Sequence, residues 1–267
     1  MTIRLLVCDV DGTLVDQHKQ LTPATIAAVA RVRDAGIGFT IISARPRSGM
    51  LPIADVLAID AAMAAFNGGI VFRRDGTVDS HVTIDAGVAR GMFDLVGDAS
   101  VDRWVFADDR WYASTDQGVH VAHERVASDQ APIVTTDFAA LLDRADKITL
   151  VSDDPAMLGA LADRAKAAFG DRATVAQSQT YYLDVTALAA NKGDGLAALA
   201  VAYDVPLALV AAIGDQANDL PMLAKAGFSV AMGNGPEAVR HAAQHVTLGN
   251  DRDGVAHAID TLIVPRF

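Results

Sequence analysis

Short, unbroken apolar runs separated by helical patterns constrain this chain more than anything else in it. IRLLVC (3–8) runs into Asp9, GFTII (38–42) into Ser43, and LALVAAIG (207–214) into Asp215. A run without polar alternation is the signature of a strand covered on both faces, as in a parallel sheet sandwiched by helices. Between the first two runs, Thr22 and Pro23 supply a helix cap and first turn, and Gly36 a stop. The last third repeats the alternation. KGDGLAALAVAYD reads as helix, PLALVAAIGD as buried strand, DLPMLAKAG as helix and FSVAMG as strand. PEAVRHAAQH then reads as helix, VTL as a short strand and GVAHAIDTLI as helix. Strand-helix-strand repetition implies parallel strands joined by crossovers.

The middle differs. TVDSHVTI, DRWVFADDRWYAS, DKITLVSD and ATVAQSQTYYLDVT read as strands, several with alternation. DAGVARGMFDLVG and DPAMLGALADRAKAAFG read as helices. Trp104 and Trp111 both lie here, as core or hairpin packing. The pattern is α/β: a Rossmann-like, doubly wound parallel-sheet core, residues 1–82 and 188–267, interrupted by an inserted α+β domain, residues 83–187.

Bulk properties narrow the function. A net charge of -11 argues against a nucleic-acid binder or an anionic membrane surface. The one cysteine, Cys8, excludes an internal disulfide framework and fits a reducing compartment. It alternates away from Asp9 and reads as a small core residue. No signal segment or membrane span is evident, so a cytoplasmic protein is expected. Nothing in the sequence sets the oligomeric state.

Chemistry is expected outside the carboxyl ends of the strands. Asp9 and Asp11 sit there two residues apart. If the strand continues, their side chains share a face, roughly 6.6 Å apart along the chain. Two neighbouring buried carboxylates need a positive partner. A hard divalent cation, Mg²⁺, fits, with Asp215 as third contributor and Gly12 letting the backbone turn closely. Lys192 and the Asn218-Asp219 pair lie at later strand ends. His241 and His245, four apart on an expected helix, read as exposed rather than metal-binding.

DVDGTLVD, ISAR, NKGDGL and GDQANDLPML resemble the four motifs of the haloacid dehalogenase superfamily. The insertion, with VAMGNG and DRDGVA downstream, resembles its Cof-type sugar-phosphatase branch, and that resemblance makes the inserted α+β domain, residues 83–187, a cap domain. The resemblance implies an Mg²⁺-dependent phosphatase for a small phosphorylated metabolite, with a sugar phosphate leading. Asp9 then matches the nucleophile that becomes an aspartyl-phosphate. Asp11 matches the general acid/base, whose backbone carbonyl also reaches the metal. Ser43 and Lys192 match the groups that bind and neutralise the phosphoryl group, and Asp215 and Asp219 the acidic metal site. Asn67, Gly68 and Asn218 match residues lining the substrate pocket, and Arg45 could contact a substrate anion. Ser43-Ala44 replaces the commoner threonine-glycine pair but keeps the hydroxyl. The rival readings are a phosphomutase and a non-catalytic phosphometabolite-binding protein; a carbon-halogen hydrolase suits the acidic group less well.

Overall fold

A computed structural model describes residues 2–264. The chain begins with β1 (Leu5–Asp9), α1 (Pro23–Asp34), β2 (Gly38–Ile42), α2 (Arg47–Leu57), β3 (Met63–Ala65), β4 (Ile70–Phe72) and β5 (Val78–His81). It continues through α3 (Ala86–Val96), β6 (Asp102–Ala107), β7 (Arg110–Ala113), α4 (Val121–Ser128), β8 (Ile133–Val134), β9 (Ala145–Val151), α5 (Pro155–Phe169), β10 (Ala173–Gln179) and β11 (Tyr182–Ala187). It closes with α6 (Lys192–Ala202), β12 (Val210–Gly214), α7 (Leu220–Lys225), β13 (Phe228–Ala231), α8 (Glu237–Ala242), β14 (His245–Val246) and α9 (Gly254–Ala258).

Two compact units result, one drawn from Met1–Ala44, Met50–Ser80 and Asn191–Phe267, the other from Arg45–Gly49 and His81–Ala190. The first is built on an eight-stranded sheet in the order β14-β13-β12-β1-β2-β3-β4-β5. Its strands from β14 to β3 pair in parallel, and β3 and β4 pair antiparallel. Every residue of β1 and β12 is buried, as continuous apolar runs require. From β1 the chain winds outward through β2 and β3, and later winds the other way through β12 and β13. The order therefore reverses between β1 and β12, and that reversal opens a crevice at their carboxyl ends.

Local signals set the helices that carry the crevice. Thr22 caps α1 by accepting from Thr25 N at 3.1 Å, and Pro23 fills its first turn. Gly36, at φ 73, ends it. Asn191 caps α6 by accepting from Asp194 N at 3.0 Å, which puts Lys192 at the first helical position.

The second unit is a six-stranded sheet in the order β10-β11-β9-β6-β7-β8. Val105, Ile148, Leu150, Leu183 and Val185 face α3 and α5 from it. Trp104 and Trp111 are buried on the hairpin of β6 and β7, rings edge-on with centroids 5.0 Å apart. Asp108 and Asp109 turn that hairpin at φ 53 and 57. The fold is thus a Rossmann-like α/β core with an α+β cap domain.

Two local expectations change, and one helix is added. β1 stops at Asp9, because the Val10 carbonyl turns back to accept from the N–H groups of Thr13, Leu14 and Val15. α8 stops at Ala242, so His241 and His245 do not share a helix. Gln244 instead exchanges hydrogen bonds with Ser229, and His245 pairs with Val230 at the sheet edge. α4 is a helix that no cap signal announced; its N-cap, His120, makes no side-chain cap bond.

Candidate active site

The last residue of β1, the first residue after β12 and the start of α6 converge at the crevice. Asp9, Asp215 and Asp219 each place a carboxylate oxygen within 4.8 Å of the others, and all three are buried. Lys192, 1% exposed, reaches into the group. Its Nζ donates to Asp9 Oδ1 and, at 2.5 Å, to Asp219 Oδ1.

Asp219 is held from behind. Its Oδ2 accepts from the backbone N–H groups of Asp215 and Gln216, both at 2.8 Å, closing a capping box with the Gln216 side chain. Asp215 is held on both oxygens. Thr13 Oγ1 donates to Oδ1 at 3.1 Å; Gln216 Nε2 and Asn234 Nδ2 approach Oδ2 at 3.2 and 3.3 Å. Gly12 makes this possible. Its φ is +80, and a Cβ there would lie 2.4 Å from Asp215 Oδ2.

Three carboxylates face one ammonium, so the group carries surplus negative charge out of water. Burial lowers the proton affinity of Lys192, but Asp219 and Asp9 outweigh it and hold the ammonium charged. Burial pushes the Asp9 carboxyl well up; Lys192 opposes, while Asp219 and Asp215 add to the rise. Burial, then Asp219, pushes Asp215 up to about 6. Lys192 lies between Asp9 and Asp219, whereas Asp215 accepts from the neutral donors Thr13, Gln216 and Asn234 and has no cation paired with it among the described residues. An all-oxygen group with no histidine or thiolate is the donor set of a hard divalent cation.

Asp11 lies outside this group. Because β1 ends at Asp9, Asp11 sits in the following turn, half-exposed, and its carboxylate pairs with Lys19 Nζ at 2.6 Å. The shared strand face expected for Asp9 and Asp11 therefore does not form. Ser43 is buried at the end of β2; its backbone N–H donates to Ala64 O and its carbonyl accepts from Asn67 N at 2.7 Å. Asn67 is left-handed, at φ 58 and ψ 26, and its Oδ1 accepts from Asn218 Nδ2 at 3.2 Å. Gly68, at φ +100, lies so close to α6 that a Cβ would meet Gly195 Cα at 2.7 Å. These contacts bring Ser43, Asn67, Gly68 and Asn218 onto the elements that carry Lys192 and Asp219. Arg45 belongs with the second unit, buried, its Nη1 donating to Gly49 O at 3.1 Å.

The sequence reading passed over Thr13, Gln216, Asn234 and Lys19. Thr13 carried a signal, since it directly follows Asp11-Gly12. Asn234 lay inside the VAMGNG stretch, as an asparagine-glycine turn after a strand, but was given no role there.

A family model described as haloacid dehalogenase-like hydrolase matches residues 6–259. The pyridoxal phosphate phosphatase YbhA of Escherichia coli (strain K12) is 28% identical over 271 residues, spanning 97% of this chain and 98% of its own. The 5-amino-6-(5-phospho-D-ribitylamino)uracil phosphatase YitU of Bacillus subtilis (strain 168) is 27% identical over 261 residues, 94% of each chain. A solved haloacid dehalogenase-like hydrolase from Bacteroides thetaiotaomicron is similar with a TM-score of 0.88 at 26% identity, over 98% of this chain and 100% of that one.

Proposed function

Since this chain belongs to the haloacid dehalogenase-like hydrolases and is a phosphoric monoester hydrolase, we propose that it is an Mg²⁺-dependent phosphatase of small phosphorylated metabolites, sugar phosphates first among them, working through an aspartyl-phosphate on Asp9. The observation that carries this reading is the charge count in the crevice: among the described residues, three buried carboxylates meet one ammonium, that of Lys192.

Asp9 and Asp215, with the Asp11 carbonyl, would hold the cation, and Asp219 completes the acidic group. When bound, Mg²⁺ supplies positive charge that offsets repulsion between an anionic nucleophile and an anionic phosphate. Asp9 attacks phosphorus as the bond to the leaving oxygen breaks. Asp11 gives that oxygen a proton, and the alcohol departs. Asp11 then takes a proton from water as the water attacks phosphorus, which releases inorganic phosphate and restores the Asp9 carboxylate. Lys192 keeps Asp9 oriented and neutralises charge on the transferring group. The Ser43 hydroxyl, with Asn67, Gly68 and Asn218 around it, binds the phosphoryl oxygens. Selection of the leaving group is assigned to the cap domain, with Arg45 as a contact for a substrate anion.

A panel of phosphomonoesters assayed with and without Mg²⁺ tests the reading. Inorganic phosphate should appear only with the metal and disappear in Asp9→Asn. Turnover by Asp9→Asn at the unaltered rate rejects the nucleophile, and an isomeric sugar phosphate as product makes the enzyme a mutase.

A further inference from the structure

Asn234 follows the end of β13 and takes no part in the chemistry above. Its amide nitrogen donates to Gly12 O at 2.9 Å and to Asp215 Oδ2 at 3.3 Å. Its Oδ1 accepts from Asn250 N at 3.0 Å, and the Asn250 side chain donates in turn to Val15 O at 3.0 Å. One side chain therefore ties together the segments after β1, β12 and β14. The Asn250 N–H can only meet an oxygen, so it fixes which way the amide faces and points both amide hydrogens at Gly12 and Asp215. The turn cannot retreat, because Gly235 packs on the Asp215 backbone so closely that a Cβ would lie 2.5 Å from Asp215 O.

We infer that Asn234 is a positioning residue, which sets the Asp215 carboxylate and the turn after Asp11 for the divalent cation. This rests on the assignment of Asp9 and Asp215 to that cation. Thr13, itself in the turn that follows Asp9, and Gln216 also bond to Asp215; Asn234 adds a tie from the segment after β13 that reaches both the Gly12 carbonyl and the carboxylate. A neutral donor suits the task. A lysine at this place would neutralise Asp215 and compete with the cation, whereas an amide orients the carboxylate and leaves its charge available. Outer partners of this kind typically govern metal affinity by about 10–100-fold. Asn234 is itself exposed, so its removal leaves the core intact.

The test is Mn²⁺ binding by the chelator-stripped full chain, followed by titration calorimetry, beside the thermal midpoint of each metal-free protein. Asn234→Leu keeps the volume and removes the donor; Asn234→Ala covers the case in which leucine does not fit. The unaltered chain should bind Mn²⁺. Both variants should bind it about 10–100-fold more weakly, with metal-free midpoints close to the unaltered value. Affinities within twofold of the unaltered chain overturn the inference, as does a loss that appears only with a collapsed midpoint. Failure of the unaltered chain to bind Mn²⁺ overturns the cation assignment and this inference together, so the two failures are distinguishable.

Discussion

Removing the cation should make stability fall as pH rises, and Asp215 sets the size of the effect. An unfolded aspartate titrates near ~3.9. Burial and Asp219 push the folded Asp215 up to about 6. Between those values the folded chain keeps a proton that the unfolded chain has released, so protonation favours folding. This contribution is fully present below the unfolded value and lost as pH climbs through the folded one. At about 1.4 kcal/mol per pH unit the loss is about 3 kcal/mol. In a chain of this size that corresponds to a midpoint about 6–12 °C lower. The burial that raises Asp9 acts in the same direction. Asp102 and Asp146, raised by burial, and Asp75 and Asp194, lowered by hydrogen bonds, titrate alike in any Asp215 variant and cancel in a difference. The assay is calorimetric melting of the unaltered chain and Asp215→Asn in chelator across about pH 4.5 to 7.5. The unaltered chain should lose stability relative to Asp215→Asn over that range. Saturating Mg²⁺, worth about 2.7 kcal/mol at a hundredfold excess over its Kd, should restore it at the high end and do little at the low end. Parallel curves for the two proteins would refute the claim that surplus charge resides on Asp215.

Lys192→Met removes the ammonium from between Asp9 and Asp219 and should destabilise the metal-free chain by about 3–5 kcal/mol in urea unfolding. It should also lower kcat by about 10²–10³-fold; unchanged stability counts against the charge balance drawn here. Gly12→Ala forces a left-handed alanine, at about 1–2 kcal/mol, and thrusts a methyl at Asp215 Oδ2. Calorimetry should show Mg²⁺ affinity reduced, and an intact affinity speaks against the close fit of that turn. Asp11→Ala should cost about 10²–10⁴-fold in kcat with KM little changed. Full activity in that variant removes Asp11 from acid/base duty.

The strands and helices of the core were legible because their signals are local. β1 and β12 are apolar throughout, and α1 and α6 begin at side-chain caps that act within three residues. α4 was not legible, since its start carries no cap bond and its helix forms without one. The two histidines after Arg240 misled for the opposite reason. Helical spacing continued in the sequence, but pairing of His245 with Val230 and the exchange between Gln244 and Ser229 ended the helix.

The residue types of the crevice were fixed by the sequence alone: carboxylates at 9, 215 and 219 and a lysine at 192, each beside a strand end or helix start. Their partnerships were not. That Lys192 bridges Asp9 and Asp219, that Asp11 turns to Lys19 and that Asn234 spans Gly12 and Asp215 came only with the fold. Spacing along a strand reports which face a side chain takes within a few residues. Which charges meet across separations such as 183 residues depends on sheet order and on the turn that closes β1, and those are decided by packing of the whole core.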